Sequence, residues 1–141
     1  MRKKILAIIA LIVLLTTLAL SMTACNGNVY ESRLKRAGYQ SIERDQGLAY
    51  LFTNEDGSKE MFDFIWRIKG TKSDGDKYYS VTIYRFENTA HAIRMEKYFE
   101  THPTMLTRAI YRMDDLFFSA NSKEALRDVL YIVDITITEK K

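Results

Sequence analysis

One apolar run near the N-terminus decides how much of this 141-residue chain is free to make a domain. From Ile5 to Leu20 there is no charged residue, and Thr16 and Thr17 are the only polar interruptions. Arg2, Lys3 and Lys4 precede the run, and the small residues Thr23 and Ala24 follow it, immediately before Cys25. A basic head, an apolar middle and a small-residue end are the three parts of a secretory signal peptide, which is removed rather than folded. Residues 1–24 are therefore expected to be a signal peptide, leaving room for one domain. The alternative is an uncleaved membrane anchor, since about 18 apolar residues is the short limit of a spanning helix.

The end of the run carries a resemblance. Met22-Thr23-Ala24-Cys25 resembles the lipobox of bacterial lipoproteins, with Met22 standing where leucine is commoner in that family. The resemblance implies that a diacylglycerol transferase alkylates the Cys25 thiol and that a dedicated peptidase cuts just before it. It also implies a membrane partner, through fatty acyl chains such as palmitate, and a place on the outer face of the cell membrane, or its periplasmic face where two membranes exist. Cys25 is the only cysteine, so no internal disulfide can form, and lipidation removes what would otherwise be a reactive thiol in an exported chain. Each buried methylene contributes about 0.8 kcal/mol, and two acyl chains give stable anchoring where one does not. Residues 25–28 are the expected lipidated cysteine and tether, with Asn26-Gly27-Asn28 spanning roughly 10 Å, so the domain should sit close to the bilayer.

Charge removes one class of partner. Without Arg2, Lys3 and Lys4, the 21 Lys+Arg fall to 18 and equal the 18 Asp+Glu. A neutral domain has no long-range field to draw it to phosphates, so nucleic acid is not expected as a partner.

Residues 29–141 are expected to form a single α+β domain: an antiparallel sheet with about three helices packed on one face. Tyr30, Leu34 and Ala37 predict a helix over Val29–Ala37, stopped by Gly38. Strands are expected at Tyr39–Glu43 and Leu48–Thr53, turning at Asp45-Gln46-Gly47, with a further turn at Asn54–Gly57. Phe62, Phe64, Trp66 and Ile68 alternate with Asp63, Ile65, Arg67 and Lys69, which predicts one half-buried strand. Ser73–Asp76 turns it into a return strand, Lys77–Phe86, with aromatics on both faces. A second helix is expected from the N-cap Asn88 to Thr101, ended by Pro103 and burying Ala92, Met95, Tyr98 and Phe99. A hairpin, Leu106–Arg112 with Leu116–Ala120, follows. A third helix is expected to open with Asn121 and Glu124 at capping-box spacing and to bury Ala125, Leu126, Val129, Leu130 and Val133. Asp134–Thr138 is the expected last strand. Val29–Thr53 and Asn88–Ala120 each order a helix before a hairpin, which suggests a repeat, although their residue identity is poor.

Three stretches carry a second resemblance: Leu34-Lys35-Arg36-Ala37-Gly38-Tyr39; Ile83-Tyr84-Arg85-Phe86-Glu87-Asn88; and Leu116-Phe117-Phe118-Ser119-Ala120 with Glu124-Ala125-Leu126. They resemble small exported proteins and lipoproteins of Firmicutes-type bacteria. That resemblance implies architecture and location, and no activity.

The chemistry-bearing residues are few. There is no Gly-x-Ser-x-Gly elbow and no phosphate-cradling loop, the six glycines being scattered singly. His91 and His102 stand eleven residues apart on one helix, about 16 Å along its axis, and cannot share a metal ion. Both fall on its apolar arc, where packing is the simpler reading. Asp74-Gly75-Asp76 lacks the terminal glutamate of a calcium loop, and Asp114-Asp115 suits a turn. Trp66, Tyr78, Tyr79, Tyr84 and Phe86 could make a stacking platform, but ordinary sheet packing explains them equally. No catalytic residue, metal or cofactor is expected. The leading expectation is an accessory or interaction module that meets a protein partner through an exposed sheet face. Tyr79 and Tyr84 are the candidate contacts, and since they lie on opposite faces of one strand only one should be exposed. The alternative is a small-ligand sensor or transport accessory, for which a pocket above roughly 300 Å³ lined by tyrosines would speak.

Overall fold

The computed structural model describes residues 5–10, 12, 27–47, 49–53, 56–102, 107–131 and 138–139. Cys25, the lipobox residues Met22, Thr23 and Ala24, the basic head, Pro103, Val133 and the stretch 134–137 lie outside them. The elements in order are α1 (Asn28–Arg36), β1 (Ser41–Gln46), β2 (Ala49–Thr53), β3 (Lys59–Asp63), β4 (Trp66–Asp74), β5 (Lys77–Arg85), α2 (Thr89–Thr101), β6 (Ala109–Met113), β7 (Leu116–Ala120), α3 (Lys123–Leu130) and β8 (Thr138–Glu139). Residues 5–10 are also helical, and Ile5, Leu6, Ile8, Ile9 and Ile12 are all exposed. The class is α+β. One sheet runs β1-β4-β5-β7-β6-β8, a second pairs β2 with β3, and every pairing is antiparallel.

Two expected pairings are replaced. β1 does not make a hairpin with β2; it pairs with β4, Ser41 opposite Thr71 and Gln46 opposite Trp66. The expected single strand across Phe62–Ile68 is two strands, β3 and β4, broken at Phe64 and Ile65. The cause lies at the base of the excursion between β1 and β4. Gly47, at φ +62°, donates its N–H to Ile65 O (3.0 Å), while Ile65 N–H is held by Arg85 O (2.7 Å). The chain therefore leaves the main sheet after Gly47 and rejoins it at Trp66, with β2 and β3 paired to each other in between. The expected helix–hairpin repeat disappears with the first hairpin.

Both faces of the main sheet are apolar, and each takes helices. On one face Trp66, Ile68, Val81, Ile83, Phe118 and Ala120 pack against Leu34 of α1 and against Ala125, Leu126, Val129 and Leu130 of α3. On the other, Tyr84, Phe86 and Phe117 pack against Ala92 and Met95 of α2, with Phe62 and Phe64 closing the layer. The expectation of helices on one face alone is thus corrected. Alternation along β5 and β7 places Val81, Ile83 and Phe118 opposite in direction to Tyr84, Phe86 and Phe117, so neither face can be left in water. Burying each large apolar side chain contributes about 1.5–3 kcal/mol, which makes both layers necessary.

The helix ends follow local chemistry. α1 stops in a Schellman motif: Tyr39 N–H donates to Leu34 O (3.0 Å) and Gly38 N–H to Lys35 O (3.1 Å), with Gly38 at φ +82°. α2 is capped as expected, Asn88 Oδ1 accepting from His91 N–H at 3.0 Å. α3 is capped one residue later than expected, by Ser122, whose hydroxyl accepts from Ala125 N–H at 3.2 Å. Asn121 is drawn away by the sheet: its Oδ1 accepts from Ser80 N–H (3.0 Å) and its Nδ2 donates to Tyr78 O (2.8 Å).

Candidate functional site

The face that α2 covers is covered only in part. Glu96 accepts from Arg112 Nε (2.6 Å) and Arg94 donates to Glu60 (2.8 Å), fixing α2 over the Phe86 end of β5. Toward the β4–β5 turn no helix among the described residues covers the same face. There Arg67 and Lys69 of β4, Tyr78, Ser80, Thr82 and Tyr84 of β5, and Ser119 of β7 line a cleft of about 330 Å³, with Phe99 as one wall. Register builds it: Lys69 lies opposite Thr82, which lies opposite Ser119, while Arg67 lies opposite Tyr84.

The cleft offers hydroxyls, rings and positive charge. Among the described residues its lining holds no carboxylate, imidazole or thiol. Arg67 is fixed from β1, donating through Nε to Asp45 Oδ2 at 2.9 Å and pairing with it through a second nitrogen. Burial pushes the Tyr84 phenol up to about 12, against the lowering effect of the Arg67 charge. Lys69 is exposed, with Glu43 as its neighbour across the β1–β4 ladder. Ser119 is the one buried polar side chain among the described residues.

The two tyrosines named from sequence are distributed differently from the expectation. Tyr84 is buried, its ring in edge contact with Phe64 at 5.7 Å. Tyr79 is half-buried on the other face, against the α1–α3 layer, with Lys72 Nζ 5.0 Å from its ring centre. Neither is freely exposed. The open ring is Tyr78, 55% exposed and on the cleft side. Its position was inferable, because residues next to the Gly75 turn lie farthest from the helix that begins after Asn88. Ser80 and Thr82, small polar residues between two tyrosines on one face, were the other missed signal.

Both histidines are half-buried, and the His102 ring stacks on Tyr98 at 4.3 Å. Asp115 pairs with Arg85 (3.1 Å) and its carbonyl accepts from Phe86 N–H, so the Asp114–Asp115 turn is accounted for structurally. Among the described residues no three of His, Cys, Asp and Glu gather as a metal site would require. No helix among them is long and apolar enough to cross a membrane. Compared with family models, with curated proteins and with solved structures, the chain matches none.

Proposed function

We propose that the chain is a lipid-anchored, extracytoplasmic, non-catalytic module. In this reading Cys25 carries the lipid, and the open sheet face around Lys69, Tyr78 and Ser80 meets the partner. The observation that carries the reading is the cleft: the sheet face opposite α1 is left uncovered at one end, concave and rich in hydroxyls. The exposure of Ile5, Leu6, Ile8 and Ile9 supports the signal-peptide part of the reading, because neither apolar layer among the described residues includes them. A lining without carboxylate, imidazole or thiol among the described residues supports a binding role. The second reading, a small polar ligand, is favoured by the volume and by Tyr78 and Tyr84 in the wall, although 330 Å³ is at the small end for such sites.

The test is crosslinking on intact cells, with wild type compared against Lys69→Glu and Tyr78→Ser. Loss of a specific captured protein in both variants supports the interaction module. Unchanged capture removes the sheet face from the reading. Metabolic labelling with a fatty acid tests the anchor: Cys25→Ser should take up no label, since a hydroxyl is a far poorer nucleophile than a thiolate.

A further inference from the structure

We infer that the α1 side of the domain lies against the membrane, its basic last turn contacting anionic lipid headgroups, so that the cleft points away from the bilayer. The inference rests on the reading of Cys25 as lipid-bearing and adds an orientation to it.

The tether is shorter than its sequence suggests. Gly27 is buried, at φ +80°, where an added Cβ would stand 3.0 Å from Ile68 Cδ1 and 3.4 Å from Trp66 Cε2. Asn28 already belongs to α1, and its Oδ1 accepts from Arg44 at 2.9 Å. Only Asn26 separates the lipid-bearing residue from a glycine fixed to the domain. Two residues reach about 7 Å at full extension, less than the width of one helix. A domain held that closely cannot tumble freely. The surface around the start of α1 must stay at headgroup depth.

That surface has the chemistry for it. Asn28, Val29, Ser32, Arg33, Arg36 and Tyr131 line a shallow concavity of about 510 Å³ between α1 and the end of α3. Among the described residues its lining contains two guanidinium groups and no acid. Arg33 is built in: Nη1 donates to Val129 O (2.9 Å) and the guanidinium lies 4.9 Å from the Tyr131 ring. Lys35 and Arg36 are exposed, and neither has an ion-pair partner among the described residues. Glu31, the one acid of α1, is turned to Arg44 (3.0 Å). Tyr131 is 55% exposed and Val29 43%, apolar groups suited to the headgroup boundary. A domain with no net charge has no long-range attraction to an anionic surface, but anchoring removes the need for one, because the tether keeps the local concentration of lipid high. Each cation near such a surface strengthens association about fivefold. The α1–α3 layer and the cleft lie on opposite faces of the sheet, so contact on the first displays the second outward.

The experiment uses the processed, acylated protein recovered from membranes and reconstituted into vesicles of phosphatidylcholine, with or without phosphatidylglycerol. Flotation reports anchoring, and a water-soluble amine reagent reports access at Lys35 and Lys69. Lys35 should label at least fivefold more slowly on phosphatidylglycerol vesicles than on phosphatidylcholine alone, with Lys69 unchanged, and Arg36→Glu should remove the difference. If the protein floats but Lys35 and Lys69 label alike on both vesicles, the orientation is wrong and the anchor stands. If it fails to float, the anchor reading fails and the orientation falls with it. If inorganic phosphate without vesicles shields Lys35 as strongly, the basic turn binds a soluble anion and the membrane is not its partner.

Discussion

Replacing Gly70 with alanine tests how α1 is seated on the sheet. Gly70 lies in the middle of β4, between Ile42 and Val81 in the ladder. A Cβ there would stand 3.0 Å from Leu34 Cδ2, 3.1 Å from Leu34 Cδ1 and 3.0 Å from Tyr39 Cδ1. All three contacts are tighter than ordinary van der Waals contact, so the neighbours must give by a few tenths of an ångström, and they have little room to do so. Leu34 is fully buried, and the Tyr39 hydroxyl is within reach of Asp128 (3.3 Å). Overpacking of this kind costs about 1–3 kcal/mol. Against it, alanine recovers roughly 0.5–1 kcal/mol of the entropy that glycine loses in an ordered element. The expected net loss is about 0–2.5 kcal/mol, read as a fall in the urea midpoint at unchanged slope. Leu34→Ala alone should cost about 2–5 kcal/mol by leaving a cavity. In the double variant the new methyl fills part of that cavity, so the combined loss should fall short of the sum by about 1 kcal/mol or more. Agreement with the sum to within about 0.5 kcal/mol would mean that the two residues do not touch. The reasoning would then be refuted.

Tyr84 sets an alkaline limit. The folded protein holds the phenolic proton up to about 12 while an unfolded tyrosine releases it near its ordinary value of 10, so stability should fall as pH rises through that window. Tyr84→Phe should flatten the fall seen in urea titrations at pH 8 and pH 11, leaving the part due to Tyr39, whose phenol is pushed up by burial and then by the Asp128 charge. At the start of α3, Ser122→Ala should cost about 1 kcal/mol by removing the cap. Asn121→Ala should instead expose the Tyr78–Ser80 edge of β5 to faster amide exchange while leaving α3 in place.

Local patterns carried the elements but not all of their partners. The extents of α1 and α2, the Gly38 stop, the Asn88 cap and the Gly75 turn follow from residues within a few positions of each other, and the structure has them where the sequence puts them, whereas α3 ends at Leu130, short of the expected Val133. The partner of β1 does not follow from such signals. Asp45-Gln46-Gly47 is turn chemistry, yet Gly47 turns the chain out of the sheet, and β1 finds its mate some twenty residues later. The stripe Phe62, Phe64, Trp66, Ile68 misled for a related reason. Period two shows that side chains alternate, not that one sheet receives them all, and here the first two belong to the α2 layer and the last two to the α1–α3 layer. Cap choice was missed by one residue because Asn121 and Ser122 both suit an N-cap, and only the cross-strand bonds of Asn121 decide between them. The cleft was half legible: its tyrosines stood out, while Ser80, Thr82 and Ser119 become a site only once β4, β5 and β7 are aligned.

Geometry explains why this face is incomplete. Six strands at about 4.8 Å spacing make a sheet roughly 24 Å wide, and one helix about 10 Å across shields two strands of it. The α1–α3 face has two helices and is closed, whereas α2 alone cannot close the other. Uncovered positions must then be polar, and Lys69, Ser80 and Thr82 need no ligand to explain them. Ser119 is different. It is only 6% exposed, on the cleft floor, where a methyl group of nearly the same size would fill the same space. A hydroxyl kept at such a place is expected to face what enters the cleft. Ser119→Ala should therefore change stability by less than about 0.5 kcal/mol, as substitutions outside structural networks do, while reducing partner capture on intact cells. A loss of more than about 1 kcal/mol with capture intact would instead make the hydroxyl part of the framework, and the cleft floor would be packing rather than a contact surface.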